Sequence, residues 1–258
     1  MLFLNIHNKF RSLVARGRLP GFPPSSNMRK LRWDSGLAEV ADAHAKQCIF
    51  RHDSGRLRVT IKFLRTGQNM AAFWNSNNSS PGRNEIEKAV RSWFDEYKDY
   101  SPSSVRSFTQ NAVGPVGHFT QVIWADTQYM GCGAVLYSKG GQQGGTTKFF
   151  VCNYADTGNI AGKPVYLPGR MCSHCPRGAA CELPAGLCVG AKLRSKSREA
   201  LRSSCSGRRS RVTPRRDGLS HGQAGLTPRK PWLLRYTRRV RPPQWRRRRL
   251  RPSRSSGR

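Results

Sequence analysis

The chain has 258 residues, with 46 Lys and Arg against 14 Asp and Glu, a formal net charge of +32. That length supports one large or two small domains with a sizeable core. No run reaches the roughly 18 apolar residues of a membrane-spanning helix. The charge is uneven: residues 191–258 hold 23 of the basic residues and two acids, Glu199 and Asp217, so the first 190 residues resemble an ordinary basic globular protein.

Ile6, Phe10, Leu13 and Val14 recur at helical spacing and Gly17 closes the run, which predicts an amphipathic helix over residues 5–16. Met1 to Leu4 is too short an apolar stretch for a secretory leader. Taken literally, that predicts a cytosolic protein. The cysteines point the other way: seven of eight lie before Gly190, four of them within seventeen residues. A missing start reconciles the two expectations.

Residues 19–27 read as a Pro/Gly/Ser loop. Asp34 then caps a helix with Leu37, Val40, Ala41, His44 and Cys48 on one face. His44 lies mid-stripe, the position of a buried, hydrogen-bonded histidine. His52 follows the helix end, where the chain leaves the core. Residues 56–63 alternate weakly and suggest an edge strand, and Gly67-Gln68-Asn69-Met70-Ala71 suggests a turn. The polar stretch 73–84 contains two overlapping glycosylation sequons beginning at Asn77 and Asn78, usable only in a secreted protein.

The next helix, over residues 85–97, buries Ile86, Ala89, Val90, Trp93 and Tyr97. Glu96 borders that face, while Asp95 points to solvent. A carboxylate at the edge of a core either forms an ion pair or serves a site. After a Gly-Pro-Val-Gly lead-in, Gly117-His118-Phe119-Thr120-Gln121-Val122-Ile123-Trp124 places Phe119, Val122 and Ile123 at i, i+3 and i+4. That spacing predicts a helical turn with His118 near its N-terminal end.

Two β-rich runs follow, 128–137 and 147–154, joined by a Gly/Gln loop. If Tyr137 opposes Thr147, the same register sets Cys132 opposite Cys152, at a separation that a disulfide bridges. Cys172, Cys175, Cys181 and Cys188 form a closing module. Four cysteines also suit a zinc site, but the spacing contains only one Cys-x2-Cys knuckle, so two local disulfides are the stronger reading. Beyond Ala191 no period survives, and such a composition predicts disorder. Trp232, Tyr236 and Trp245 among the arginines suit nucleic-acid binding; the alternative is translated intron or out-of-frame sequence from a faulty gene model.

Taken together, the His118 stretch and Val151-Cys152-Asn153-Tyr154-Ala155 through Gly158-Asn159 resemble the two signature motifs of the CAP superfamily, the SCP/TAPS or cysteine-rich secretory proteins. His7-Asn8 with Arg11, the 67–71 stretch, and Trp93 with Glu96 and Tyr100 match further landmarks in order. With glutamine at position 68, the chain is most similar to the insect venom allergen 5 (antigen 5) group. Gly55 stands where that group usually has a cysteine, and Cys48 has no evident partner.

The resemblance implies an α+β fold, a three-layer α-β-α sandwich over residues 5–166, followed by a Cys-rich extension over 167–190 and the basic tail over 191–258. It also implies a cleft tetrad of His52, Gln68, Glu96 and His118, which the residue patterns had already picked out apart from Gln68. Two imidazoles beside a carboxylate suit Zn²⁺, and the neutral amide at 68 weakens cation binding. Three functions compete: a secreted allergen-type protein that binds an extracellular ligand, lipid or receptor; a metal-dependent hydrolase using His52, His118 and Glu96; and a nucleic-acid binder acting through the tail. No Ser or Cys nucleophile is evident beside His118, so hydrolysis needs a metal-bound water.

Overall fold

The computed structural model describes residues 1–75, 80–109, 116–138 and 145–190. The sequons, the Gly114-Pro115 lead-in, part of the Gly/Gln loop and the basic tail lie outside the described residues.

Strands β1 (Arg32–Trp33), β2 (Gly67–Asn75), β3 (Tyr129–Ser138) and β4 (Thr146–Ala155) form one sheet in the order β1-β3-β4-β2. β3 and β4 are antiparallel, with Tyr137 opposite Thr147 and Cys132 opposite Cys152, the register read from the sequence. The Cys132–Cys152 disulfide bridges that pair at a Cα separation of 4.1 Å.

Side-chain alternation on β4 divides the core in two. Phe149 and Val151 pack with Met70 of β2 and with Ala41 and Ala45 of α2 (Ser35–Ala45) on one face. Phe150, Cys152 and Tyr154 face the larger cluster, built from α1 (Leu2–Ala15), α3 (Arg83–Asp95) and α4 (Gly117–Val122). The result is a sheet between two helical layers. α2 lies directly on β3, because a Cβ at Gly131 would come within 2.1 Å of the Ala38 nitrogen and one at Gly133 within 2.3 Å of the Asp42 Cα. Cys132, between these glycines, faces the opposite layer.

Three local expectations need correction. The 67–71 stretch is the start of β2, not a turn, because nine residues of β2 pair with β4. That long-range ladder overrides the weak strand propensity of its Gly, Gln and Asn. Residues 56–63 are not a strand: Gly55–Arg58 is a single 3-10 turn, capped by Ser54 and tied down by an Arg58–Asp53 ion pair of 3.2 Å. Cys48 lies beyond the end of α2, at φ +58°, and is a free cysteine. The Asp34 cap is as expected, with its Oδ1 accepting from the Leu37 N–H at 3.0 Å.

The closing module pairs β5 (Ala179–Glu182) with β6 (Leu187–Gly190). Its cysteines form two disulfides, Cys172–Cys181 and Cys175–Cys188. Among the described residues no helix is long and apolar enough to cross a membrane.

Candidate functional site

The site starts from the end of α3. Glu96 follows that helix and directs its carboxylate at the N-terminus of α4. Oε2 accepts the backbone N–H groups of His118 and Phe119, each at 3.0 Å, and Oε1 lies 2.6 Å from the His118 Nδ1. A helix N-terminus has unsatisfied N–H donors, and here a carboxylate from a separate element satisfies two of them. The imidazole also stacks on Trp93, with 6.3 Å between ring centroids and 26° between planes, while the Trp93 Nε1–H donates to the Met70 carbonyl.

A six-residue helix is too short to hold itself together. α4 is fixed from three further directions. Asn159 accepts from the Thr120 hydroxyl and donates to the Gly117 carbonyl, both at 2.8 Å. Gln121 accepts from the Gly158 N–H at 3.1 Å. Arg11, fully buried, donates to the carbonyls of Val122, Trp124, Ala125, Thr127 and Arg29. Burial lowers its guanidinium pKa to about 9. Nearby, His7 is buried between the Phe3 carbonyl and the Tyr154 hydroxyl, and desolvation lowers its pKa to about 4. His7 is therefore neutral, with Nδ1–H donating to Phe3 and Nε2 accepting from Tyr154.

His52 and Gln68 form a second pair, with Nδ1 and Oε1 2.8 Å apart. The Gln68 amide nitrogen donates to the Asn153 Oδ1 at 3.2 Å. Behind His52, the chain is held by His44, whose Nε2 lies 3.0 Å from the Arg51 carbonyl and whose Nδ1 lies 3.7 Å from Asp53. His44 is buried, as its place on the apolar stripe suggested.

The four expected residues are thus brought together as two pairs. Gln68 belongs to the α2 side of β2, with Met70. Asn69 points the other way and donates to the His118 carbonyl at 3.1 Å. Both pairs are thus tethered to one edge strand through its consecutive residues, Gln68 and Asn69. Among the described residues, His52, Glu96 and His118 do not converge into a three-ligand cluster; the set close enough for that is Cys172, Cys175 and Cys188, whose sulfurs are in disulfides.

A family model described as the cysteine-rich secretory protein family, CAP, matches residues 4–154. The chain belongs to the CAP family. Scoloptoxin SSD552 of Scolopendra dehaani is 36% identical over 188 residues, covering 72% of this chain and 82% of the relative. Venom allergen-1 of Aedes albopictus is 38% identical, covering 69% and 67% respectively. Venom allergen 5 of Vespa velutina is 38% identical, covering 63% and 77%. Among solved structures, BmVAL-1 aligns with a TM-score of 0.61 at 30% identity, covering 74% of this chain and 93% of that one. A structure titled NaASP2 with Zn2+ aligns at 0.59 and 28%, covering 72% and 93%.

In this CAP chain the motif residues divide by task. Thr120, Gln121, Gly158 and Asn159 lock the two motifs to each other. Sequence reasoning missed the roles of Asn69, Asn153 and Asn159 in orienting the pairs. The available signal was confined to Asn153, an amide inside the apolar run from Phe149 to Ala155, where a polar group needs a partner.

Proposed function

We propose that this CAP chain is a secreted binding protein of the venom allergen 5 type, acting on an extracellular ligand, lipid or receptor, with His52 and His118 offering a divalent-metal subsite. The names of its relatives support the venom-protein class. The observation that carries the metal reading is the tautomer set by each hydrogen bond. Glu96 and Gln68 both accept from Nδ1–H, so Nε2 of each histidine is the nitrogen left over for a ligand. An imidazole whose Nδ1–H donates to a carboxylate or amide oxygen is oriented to bind zinc through Nε2. A bound metal would supply Lewis acidity toward an oxygen-bearing ligand, with water completing its shell. The donor set is sparse: Glu96 uses both oxygens on His118 and Phe119, and Gln68 is neutral. Weak, exchangeable metal binding fits this set better than a built catalytic centre. Glu96 acts as a positioning group on this reading, which leaves the hydrolase alternative without a general base.

Calorimetric titration of the disulfide-intact chain with Zn²⁺ tests the proposal. We expect binding that weakens at least about tenfold in both His52→Ala and His118→Ala. Unchanged binding in both variants would overturn the metal subsite, and metal-dependent peptide or ester turnover lost in His118→Ala would overturn the binding-only reading.

A further inference from the structure

Six of the eleven large apolar side chains exposed among the described residues fall within residues 49–64: Ile49, Phe50, Leu57, Val59, Ile61 and Leu64. The stretch is inverted relative to an ordinary surface loop. Its Asp53–Arg58 pair faces inward and is largely buried, and the Thr66 hydroxyl donates to the Arg58 carbonyl. Lys62, half-exposed, pairs with Asp34 while lying 3.8 Å over the Tyr129 ring. A tight turn forms the tip: the Thr60 N–H donates to the Phe63 carbonyl and the Phe63 N–H donates to the Thr60 hydroxyl. Phe63 is buried with Leu37 and Ala155 and anchors this turn, while Ile61 projects from it fully exposed. Leu57 and Leu64 are 66% and 80% exposed. Burying polar groups to display apolar ones is costly unless something outside covers them.

The charge on this face limits what can cover it. From Ser54 to Thr66 there are four basic residues and no acidic one. Arg58 and Lys62 have acidic partners, which leaves Arg56 and Arg65 for an external anion. These two line a pocket of about 500 Å³ together with Ser54, Leu64, Thr66 and Thr157. Two guanidinium groups and the Ser54 hydroxyl beside an exposed leucine match a phosphate diester joined to acyl chains. A second copy of the chain would bring basic loop against basic loop.

We propose that residues 49–66 form a membrane-surface docking element, in which Leu57, Ile61 and Leu64 enter the headgroup boundary of an anionic bilayer and Arg56 and Arg65 hold a lipid phosphate. The chain would lie on the membrane without spanning it. This docking does not depend on the metal subsite.

The test uses the full chain with vesicles of phosphatidylcholine, alone or mixed with phosphatidylserine. We expect sedimentation with the mixed vesicles that weakens about tenfold or more in the Leu57→Ser/Ile61→Ser/Leu64→Ser variant and falls in Arg56→Gln/Arg65→Gln. All five positions are surface ones, and unchanged circular dichroism verifies folding. The Arg-rich residues 191–258 could also carry the chain to anionic vesicles, so a second variant reports depth. Ile61→Trp should show fluorescence quenching by brominated acyl chains beyond that of the parent chain. Full vesicle binding by the triple-serine variant, absence of that extra quenching, or no vesicle association at all overturns the proposal.

Discussion

Glu96 and His118 are joined twice by one carboxylate, through the imidazole and the residue's own N–H, and the same carboxylate accepts the N–H of Phe119. The same contacts cap α4 and set the histidine tautomer, so shape and chemistry are coupled at this point. We expect Glu96→Ala to destabilise the fold by about 3 kcal/mol, because three donors lose a charged acceptor. Glu96→Gln should lose less. Urea unfolding of the three proteins reads the difference.

His7 supplies a pH dependence of known sign. Its folded pKa is about 4, below the unfolded value of 6.5. The unfolded chain therefore takes up the proton first, and the stability due to neutral His7 is complete above 6.5 and is lost as pH falls toward about 4. The loss amounts to about 3 kcal/mol. Comparing unfolding free energies at about pH 7.5 and about pH 4.5, we expect a smaller drop in His7→Gln than in the parent chain.

Arg11 is buried against carbonyl oxygens, and its planar fork reaches five of them. Lysine keeps the charge but cannot span that set. Arg11→Lys is expected to cost about 3 to 5 kcal/mol in chemical denaturation, comparable to stranding a buried charge.

The contact of α2 with β3 leaves no room for a methyl group at Gly131 or Gly133, because the nearest atoms are helix backbone. Gly131→Ala and Gly133→Ala should each destabilise by more than about 3 kcal/mol, while Gly162→Ala, in open space at φ +75°, should cost only about 1 kcal/mol of backbone strain. Thermal unfolding of the three variants would separate the two effects.

Burial ranks the disulfides. Cys152 is inaccessible and Cys132 nearly so, whereas Cys181 is exposed. Under graded reductant with alkylation and mass mapping, Cys172–Cys181 should open before Cys132–Cys152, because exchange needs access to sulfur.

Local patterns carried the parts of this fold that depend on neighbours in the chain. The Asp34 cap, the helix bearing Trp93 and the Cys132 to Cys152 register all follow from spacing within one element or one hairpin. The β2 strand did not, since Gly67, Gln68 and Asn69 become extended through pairing with residues more than eighty positions away. The loop at 56–63 failed for the opposite reason: its alternation was real, but it has no strand partner among the described residues, and Leu57, Val59 and Ile61 stay exposed while Phe63 alone is buried. At the candidate site, periodicity identified His118 and Glu96. It could not show that Glu96 binds His118 directly, nor that Gln68 and Asn69 serve opposite faces of the sheet.

The brevity of α4 has a practical implication for anyone wishing to borrow its histidine. A peptide copied from residues 117–124 would remain a coil in water, because the contributions of Arg11, Glu96 and Asn159 arrive from remote parts of the polypeptide. Transplanting the imidazole into another scaffold therefore means moving its whole set of braces, and loosening any one of them should blur the ring's aim long before the domain itself melts.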